Sequence, residues 1–366
     1  MDHDFTGPRY TLGIEEELMI LDAETLDLAS AMDRLLGDPD VGEVKPELHE
    51  SVLEISTDPC ADIREAGSQL RALRTQVRER AEGHGLTIAS SGTHPFGHWK
   101  DQRISPRERY RELISDIGFV ARQELIFGLH VHVGLDDPDL AVHVANGLRV
   151  HLAPLLALSA NSPYWQGADT GLCSARIPIF RQFPRVGVPP RFVDWDDWSS
   201  RIEFMVEAQA IRDHTWMWYD VRIHPTFGTV EMRVMDAQTR VAHTLALAAL
   251  IQAMVKELAE QHDAGEPDRA VPYEMLDENK WLAARHGLGG ELVDLPGHER
   301  VASQALVERL LKRVAPHAEE LGSAEALDGV RDILDTGTGA ARQRIVYEAN
   351  HDHRELVQEL VDATAG

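Results

Sequence analysis

The sequence predicts an α+β fold built on an antiparallel sheet, and two patterns along its 366 residues carry that prediction. Four separate segments alternate apolar residues with acids or imidazoles at period two, as strands do when only one face is buried. From Val241 onward the apolar residues recur at helical spacing instead, over 241–262, 277–286, 300–321 and three shorter stretches. The sheet-forming part therefore covers about residues 1–239 and the mainly helical part about 240–366. With no internal repeat and no low-complexity linker, one domain over 1–366 is expected.

The first strand contains Leu12-Gly13-Ile14-Glu15-Glu16-Glu17-Leu18-Met19-Ile20. Alternation puts Leu12, Ile14, Leu18 and Ile20 on one face and Glu15 with Glu17 on the other, roughly 7 Å apart, from where both carboxylates can converge on metal ions. Glu16 is left pointing to the helix-packed side, where it needs its own partner. Residues 32–43 read as a turn-rich connection. A second strand is expected over 47–56, with Glu50 and Glu54 on one face; Glu47 has the opposite parity and joins them only from the strand's beginning or through a bulge. Ile63, Ala66, Leu70, Leu73 and Val77 space out a helix over 62–82, and Leu86–Ser90 makes a short strand. Ser105-Pro106 opens a helix to about Asp116.

Residues 125–135 show the clearest alternation, with six apolar side chains on one face and His130 and His132 between Gly128 and Gly134 on the other. A helix follows over 138–159. The long segment 161–191 carries Arg176, Arg181 and Arg185 among Tyr164, Trp165, Phe180 and Phe183, and loops of this length are commonly binding segments. Arginine forks suit carboxylate and phosphate. A helix over 198–211 and a strand over 217–224, with Tyr219, Val221 and Ile223 inward, lead to the turn Phe227-Gly228. In the strand 229–236, Val230, Met232 and Val234 form the apolar face, and Glu231 and Arg233 share the other.

Composition narrows the function. A net charge of −25 disfavours nucleic acid or an anionic membrane as the main partner, although a nucleotide bridged by cations remains compatible. The N-terminus has no basic and apolar leader pattern, and the apolar run 244–255 is too short to span a bilayer, so a cytoplasmic location is expected. Two cysteines, Cys60 and Cys173, fit a reducing compartment and offer no thiol metal site.

Strands that present almost only acids and imidazoles would repel themselves unless divalent cations neutralised them. Oxygen ligands with one or two histidines point to Mg²⁺ or Mn²⁺. Hard cations beside an arginine are the apparatus of phosphoryl transfer, where catalysis is mostly positioning and charge neutralisation. No Gly-x-x-x-x-Gly-Lys-Ser/Thr loop is present, so ATP would be held by metals and arginines.

Gly13-Ile14-Glu15-Glu16-Glu17, Glu47 to Glu54, Gly128-Leu129-His130-Val131-His132, Asn161 to Gly171 and Gly228 to Asp236 resemble, in order and spacing, the carboxylate-amine ligases of the glutamate-cysteine ligase type 2 family. The resemblance extends over Glu278-Asn279-Lys280-Trp281 and Arg342-Gln343-Arg344. It implies a single catalytic domain similar in fold to glutamine synthetase and the guanidino kinases, with the sheet curved into a funnel and helices outside. It also implies Glu15, Glu17, Glu47, Glu54, His130 and Glu231 as Mg²⁺ ligands, Arg233 on the transferring phosphate and Arg176 on the substrate amino acid. Arg181, Arg185 and Lys280 join these as substrate or nucleotide candidates. For Glu47, family pattern and strand parity disagree, so Glu50 stays an outer candidate; the metal role of His132 stays open. The activity implied is ATP-dependent ligation of an amino acid carboxylate to an amine through an acyl phosphate, with a homo-oligomeric assembly suggested. A guanidino or other nitrogen phosphotransferase, or a non-catalytic metal or nucleotide binder, are the alternatives.

Overall fold

The computed structural model describes residues 1–366. Seven strands form one antiparallel sheet: β1 (Leu12–Asp22), β2 (Glu43–Pro46), β3 (Val52–Ser56), β4 (Leu86–Ala89), β5 (Gly128–Gly134), β6 (Val221–His224) and β7 (Thr229–Asp236). Their order is β6-β7-β5-β1-β3-β2, and β4 takes up pairing with the last residues of β1. The ten longer helices are α1 (Ile63–Glu82), α2 (Glu108–Ile117), α3 (Pro138–Ser159, with a 3₁₀ turn at Arg149–His151), α4 (Trp195–Glu207), α5 (Val241–Asp263), α6 (Tyr273–His286), α7 (Ser303–Glu320), α8 (Ala324–Thr336), α9 (Gly339–Asn350) and α10 (His353–Ala365).

The expected α+β architecture is present, and its logic is that of the strand alternation. Ile14, Leu18, Ile20, Leu129, Val131, Val133, Met232 and Val234 are wholly buried in one core of 78 residues that also takes in α1, α3 and α5. α1 starts where the Asp62 carboxylate accepts the N–H groups of Arg64 and Glu65, at 2.8 and 2.9 Å, and it buries the stripe read from its spacing. α3 and α5 are long and apolar enough to cross a membrane by length and composition, but 89% of each one's most apolar window is buried within the fold. An all-round apolar helix at the centre of a core is the ordinary reason for such a sequence.

The structure departs from the expected elements at the second strand. Residues 47–51 are not extended; they form a turn between β2 and β3. The parity argument over 47–56 fails for that reason, and Glu50 does not join Glu54. Its carboxylate pairs with Arg103 at 2.7 Å and its N–H donates to the Arg103 carbonyl. The helix expected from Ser105 begins at Glu108, because Ser105 N–H donates to the Leu48 carbonyl and Ile104 bridges His49, which keeps this stretch extended against the turn. A hairpin, Glu291–Asp294 with Glu299–Ala302, precedes α7 and shortens the helix expected from Arg300. The segment 161–191 is a folded excursion, with short strands at 164–165 and 168–169 and a helical turn over Arg176–Phe180.

Candidate active site

The sheet register builds the site. Glu15 lies opposite His130 on β5 and Ser56 on β3; Glu17 lies opposite Glu54. Glu231 lies opposite His132 on one side and Arg222 on the other. Directly opposed side chains on one face sit about 5 Å apart at Cβ, so a band of charge crosses five strands. It floors a cavity of about 460 Å³. The far wall is aromatic, with Phe180, Phe183, Trp216 and Trp218, and Arg109, Tyr110 and Glu124 also line it.

Three overlapping triads can each hold a cation: Glu15, Glu54 and His130; Glu15, His132 and Glu231; and Glu17, Glu47 and Glu54. Within each triad the donor atoms lie within 4.8 Å of one another. Nε2 of His130 and of His132 are buried without a hydrogen-bond partner, a costly condition that a metal would relieve. His132 Nε2 is 3.7 Å from both Glu15 and Glu231, while its Nδ1 is fixed by Thr229 Oγ1 at 2.9 Å. That bond to the far nitrogen is how a ligating imidazole is oriented. The donor set, mostly carboxylate oxygen with imidazole, fits Mg²⁺ or Mn²⁺. Glu47 reaches its triad from just past the end of β2, whereas Glu50 is turned to Arg103.

The charges are unevenly compensated. Burial and then the charges of Glu15 and Glu47 push the Glu54 carboxyl well above its usual range. Burial and then Glu17 push Glu47 up to about 7. Burial also works against the Glu231 carboxylate, but Arg222 and Arg233 outweigh it and hold that group well below the ordinary range. Arg222 Nε is 2.6 Å from Glu231, and Arg233 bonds the same carboxylate. Lys45 stands 3.6 Å from Glu54 and 3.9 Å from Glu15, and those acids raise its pKa against the lowering effect of burial. In metal-free protein an acid raised in the fold stabilises it only while protonated. Stability in chelator is therefore expected to fall as pH rises from about 4.5 to about 7, through the Glu47 range, and saturating Mg²⁺ is expected to flatten that slope. Thermal melts across pH with and without Mg²⁺ measure this.

Of the loop and helix cations expected at the site, Arg176 lies beside it and the other three are turned to other partners. Arg176 is 3% exposed and donates to the carbonyls of Arg233 (3.2 Å) and Val234 (3.4 Å), where the pairing of β7 with β5 shifts between Met232 and Met235. It braces the strand that presents Arg233, and its guanidinium lies over Gly128, where a Cβ would be 2.5 Å from it and 2.9 Å from His130 Nε2. Arg181 pairs with Asp277 at 2.8 Å on the exterior. Arg185 donates to the Trp216 carbonyl and lies over the Trp218 ring, behind the aromatic wall. Lys280 is buried against Asp220 at 2.6 Å, and the Asp220 carbonyl accepts the Arg233 N–H. Lys280→Met would strand a buried carboxylate, at about 3–5 kcal/mol. The expected outcome is a lowered Tm with unchanged substrate KM, since Lys280 touches the site only through Asp220.

Sequence reasoning missed Lys45, Arg109, Tyr110, Glu124 and Arg222 as cavity residues. The parity that turned Val221 and Ile223 inward implied Arg222 on the polar face. Arg109, Tyr110 and Glu124 come from α2 and a loop, whose approach to the sheet has no periodic signal.

The chain matches the sequence profile of glutamate-cysteine ligase family 2 (GCS2) over residues 11–363. A Rubrobacter xylanophilus protein named "Putative glutamate--cysteine ligase 2-1" is 42% identical over 358 residues, covering 97% of this chain and 95% of its own. A Sorangium cellulosum protein with the type 2 designation is 42% identical over 362 residues, covering 98% and 96%. Among solved structures, the glutamate–cysteine ligase of Francisella tularensis in complex with AMP aligns at a TM-score of 0.70 with 14% identity, covering 99% of this chain and 89% of that one. A bifunctional glutathione synthetase from Pasteurella multocida aligns at 0.67 with 15% identity, covering 98% of this chain and 52% of that one. Those two structures share the fold, and the sequence relatives add the family: the chain belongs to glutamate-cysteine ligase family 2 and is an ATP-dependent carboxylate-amine ligase.

Proposed function

We propose that the protein joins the γ-carboxylate of glutamate to an amine, through an acyl phosphate formed from ATP, with Mg²⁺ or Mn²⁺ held by Glu15, Glu17, Glu47, Glu54, His130 and Glu231, and with His132 completing one triad. The observation that supports this best is the coexistence, along and just beneath the floor of one cavity, of three overlapping cation triads and the Arg222–Glu231–Arg233 cluster. Bound cations would neutralise the phosphate oxygens and the carboxylate as they approach each other. Glu231 fixes both guanidinium groups, so Arg233 is pre-aimed at the equatorial oxygens of the transferring phosphoryl group. Forming the acyl phosphate transfers the γ-phosphoryl to the substrate carboxylate and releases ADP. The amine then displaces phosphate and loses a proton. Arg109, which has no carboxylate partner and lies beside the aromatic wall, joins Arg176 as a cation for a substrate carboxylate. The aromatic wall excludes water from the activated intermediate.

The test is ADP release by purified protein with Mg²⁺, ATP and glutamate, against cysteine and then a panel of amines and acids, with mass detection of product. A substrate-dependent amide supports the reading. A stable phosphorylated acceptor would replace it with phosphotransfer, and no substrate-dependent ADP would overturn it.

A further inference from the structure

The cavity has a feature that phosphoryl chemistry does not explain. Phe227 lines it and is 57% exposed, whereas the other bulky apolar side chains as open as this lie away from the cavity. One face of its ring is already used: it stacks on His224 with centroids 4.1 Å apart and an interplanar angle of 8°. The other face is open. A flat ring with a free face, lining the cavity, suits a second flat ring.

The turn that carries it is braced. Pro225 O accepts the Asp4 N–H at 2.8 Å, and Gly228 O accepts the Leu135 N–H at 3.0 Å. Gly228 has φ +61°, and a Cβ there would lie 2.2 Å from the Asp4 carbonyl oxygen, so the chain passes too close for any other residue. Beneath Phe227, His224 is held by its neighbours: His214 meets it edge-on at 5.1 Å and His132 at 5.8 Å. The stack is continuous with the cation site, because His132 also contacts Phe227 at 5.8 Å and belongs to the triad with Glu15 and Glu231. Phe227 lies in the turn that precedes β7, and only the His132 ring stands between it and the Glu231 carboxylate, 3.7 Å from His132 Nε2. A nucleotide whose base lies on the outer face of Phe227 therefore has its phosphates within reach of the carboxylates.

We propose that the open face of Phe227 is the platform on which the base of ATP stacks, a role that rests on the ligase reading above and supplies the base contact that reading lacks. Stacking uses the π-face common to all bases, so the platform supplies affinity more than choice among bases.

The test compares Phe227→Leu, which keeps the apolar bulk but removes the ring, with Phe227→Trp, which keeps a π-face. ADP affinity in the presence of Mg²⁺ is read by calorimetry on the full chain, with inorganic tripolyphosphate as a probe that has the phosphates and no base. In Phe227→Leu, ADP affinity and the KM for ATP are expected to weaken about tenfold, with tripolyphosphate affinity, the glutamate KM and Tm unchanged. Phe227→Trp is expected to restore binding. ADP binding unaltered by Phe227→Leu, equal weakening of tripolyphosphate, or no ADP binding by the parent would each overturn the platform. ADP binding weakened by Phe227→Leu, when the parent binds ADP but makes no amide, would sustain the platform and overturn the ligase reading instead.

Discussion

Glu54→Gln is expected to abolish turnover while making the metal-free fold more stable. Glu54 belongs to two of the three triads, with Glu15 and His130 and with Glu17 and Glu47, so one substitution weakens two cation positions at once. Loss of a group that neutralises developing charge typically costs about 10²–10³ in rate, and damage to two positions places the expected loss at about 10³ or more. Stability moves the other way. In metal-free protein the Glu54 carboxyl is opposed by burial and by the charges of Glu15 and Glu47, so the ionised side chain is a liability that glutamine removes with almost no change in shape. Ser56 Oγ, 3.2 Å away, and Lys45 lose little, because an amide oxygen still accepts. A gain of about 1 kcal/mol would raise the Tm in chelator by about 1–3 °C. Added Mg²⁺ should raise the parent's Tm by mass action and the variant's much less. A variant that melts lower than the parent in chelator, or that answers Mg²⁺ as the parent does, would sink the assignment of Glu54 as a cation ligand.

That opposition between activity and stability also explains why so much of the site was legible in the chain. A strand that buries one face has no structural use for Glu15, Glu17, His130, Glu231 and Arg233 on the other. Because the side-chain period is two, naming the face amounts to naming the residues, and the register then sets Glu15 against His130 and Glu231 against His132. Where the chain leaves regular structure, the same rule misleads. Glu50 has the right parity and the wrong environment, since residues 47–51 turn back on themselves and carry it to Arg103. Arg181, Arg185 and Lys280 have the right chemistry, but their partners, Asp277, the Trp216 carbonyl and Asp220, come from remote segments that no local pattern announces. Glu124 and Arg109 were invisible for the converse reason: nothing about α2 or its following loop says which of its many charges will meet the sheet.

Arg74→Met is expected to cost about 3–5 kcal/mol of stability without altering the chemistry of the cavity. The register that sends Glu15 and Glu17 into the cavity sends Glu16 into the core, where it is fully buried. Its partner is Arg74 of α1, which grips both carboxylate oxygens at 2.8 and 2.9 Å and also donates to the carbonyls of Gln238 and Thr239, each at 2.7 Å. Thr244 of α5 donates to the same carboxylate at 2.5 Å. One ion pair thus ties β1, α1, the end of β7 and the start of α5, and removing the guanidinium leaves a buried charge and two carbonyls unanswered. Glu16→Gln should cost less, since the amide oxygen can still accept from Arg74. Replacing both residues by apolar ones of similar size should recover much of the loss, because an apolar pair has no desolvation penalty to offset. Urea melts of the two single variants and the Arg74→Met/Glu16→Met double variant give the coupling directly. Turnover per folded molecule at low temperature should stay near the parent's in Glu16→Gln and collapse in Glu15→Gln and Glu17→Gln. If all three glutamines behaved alike, β1 would not have the register that the whole site depends on.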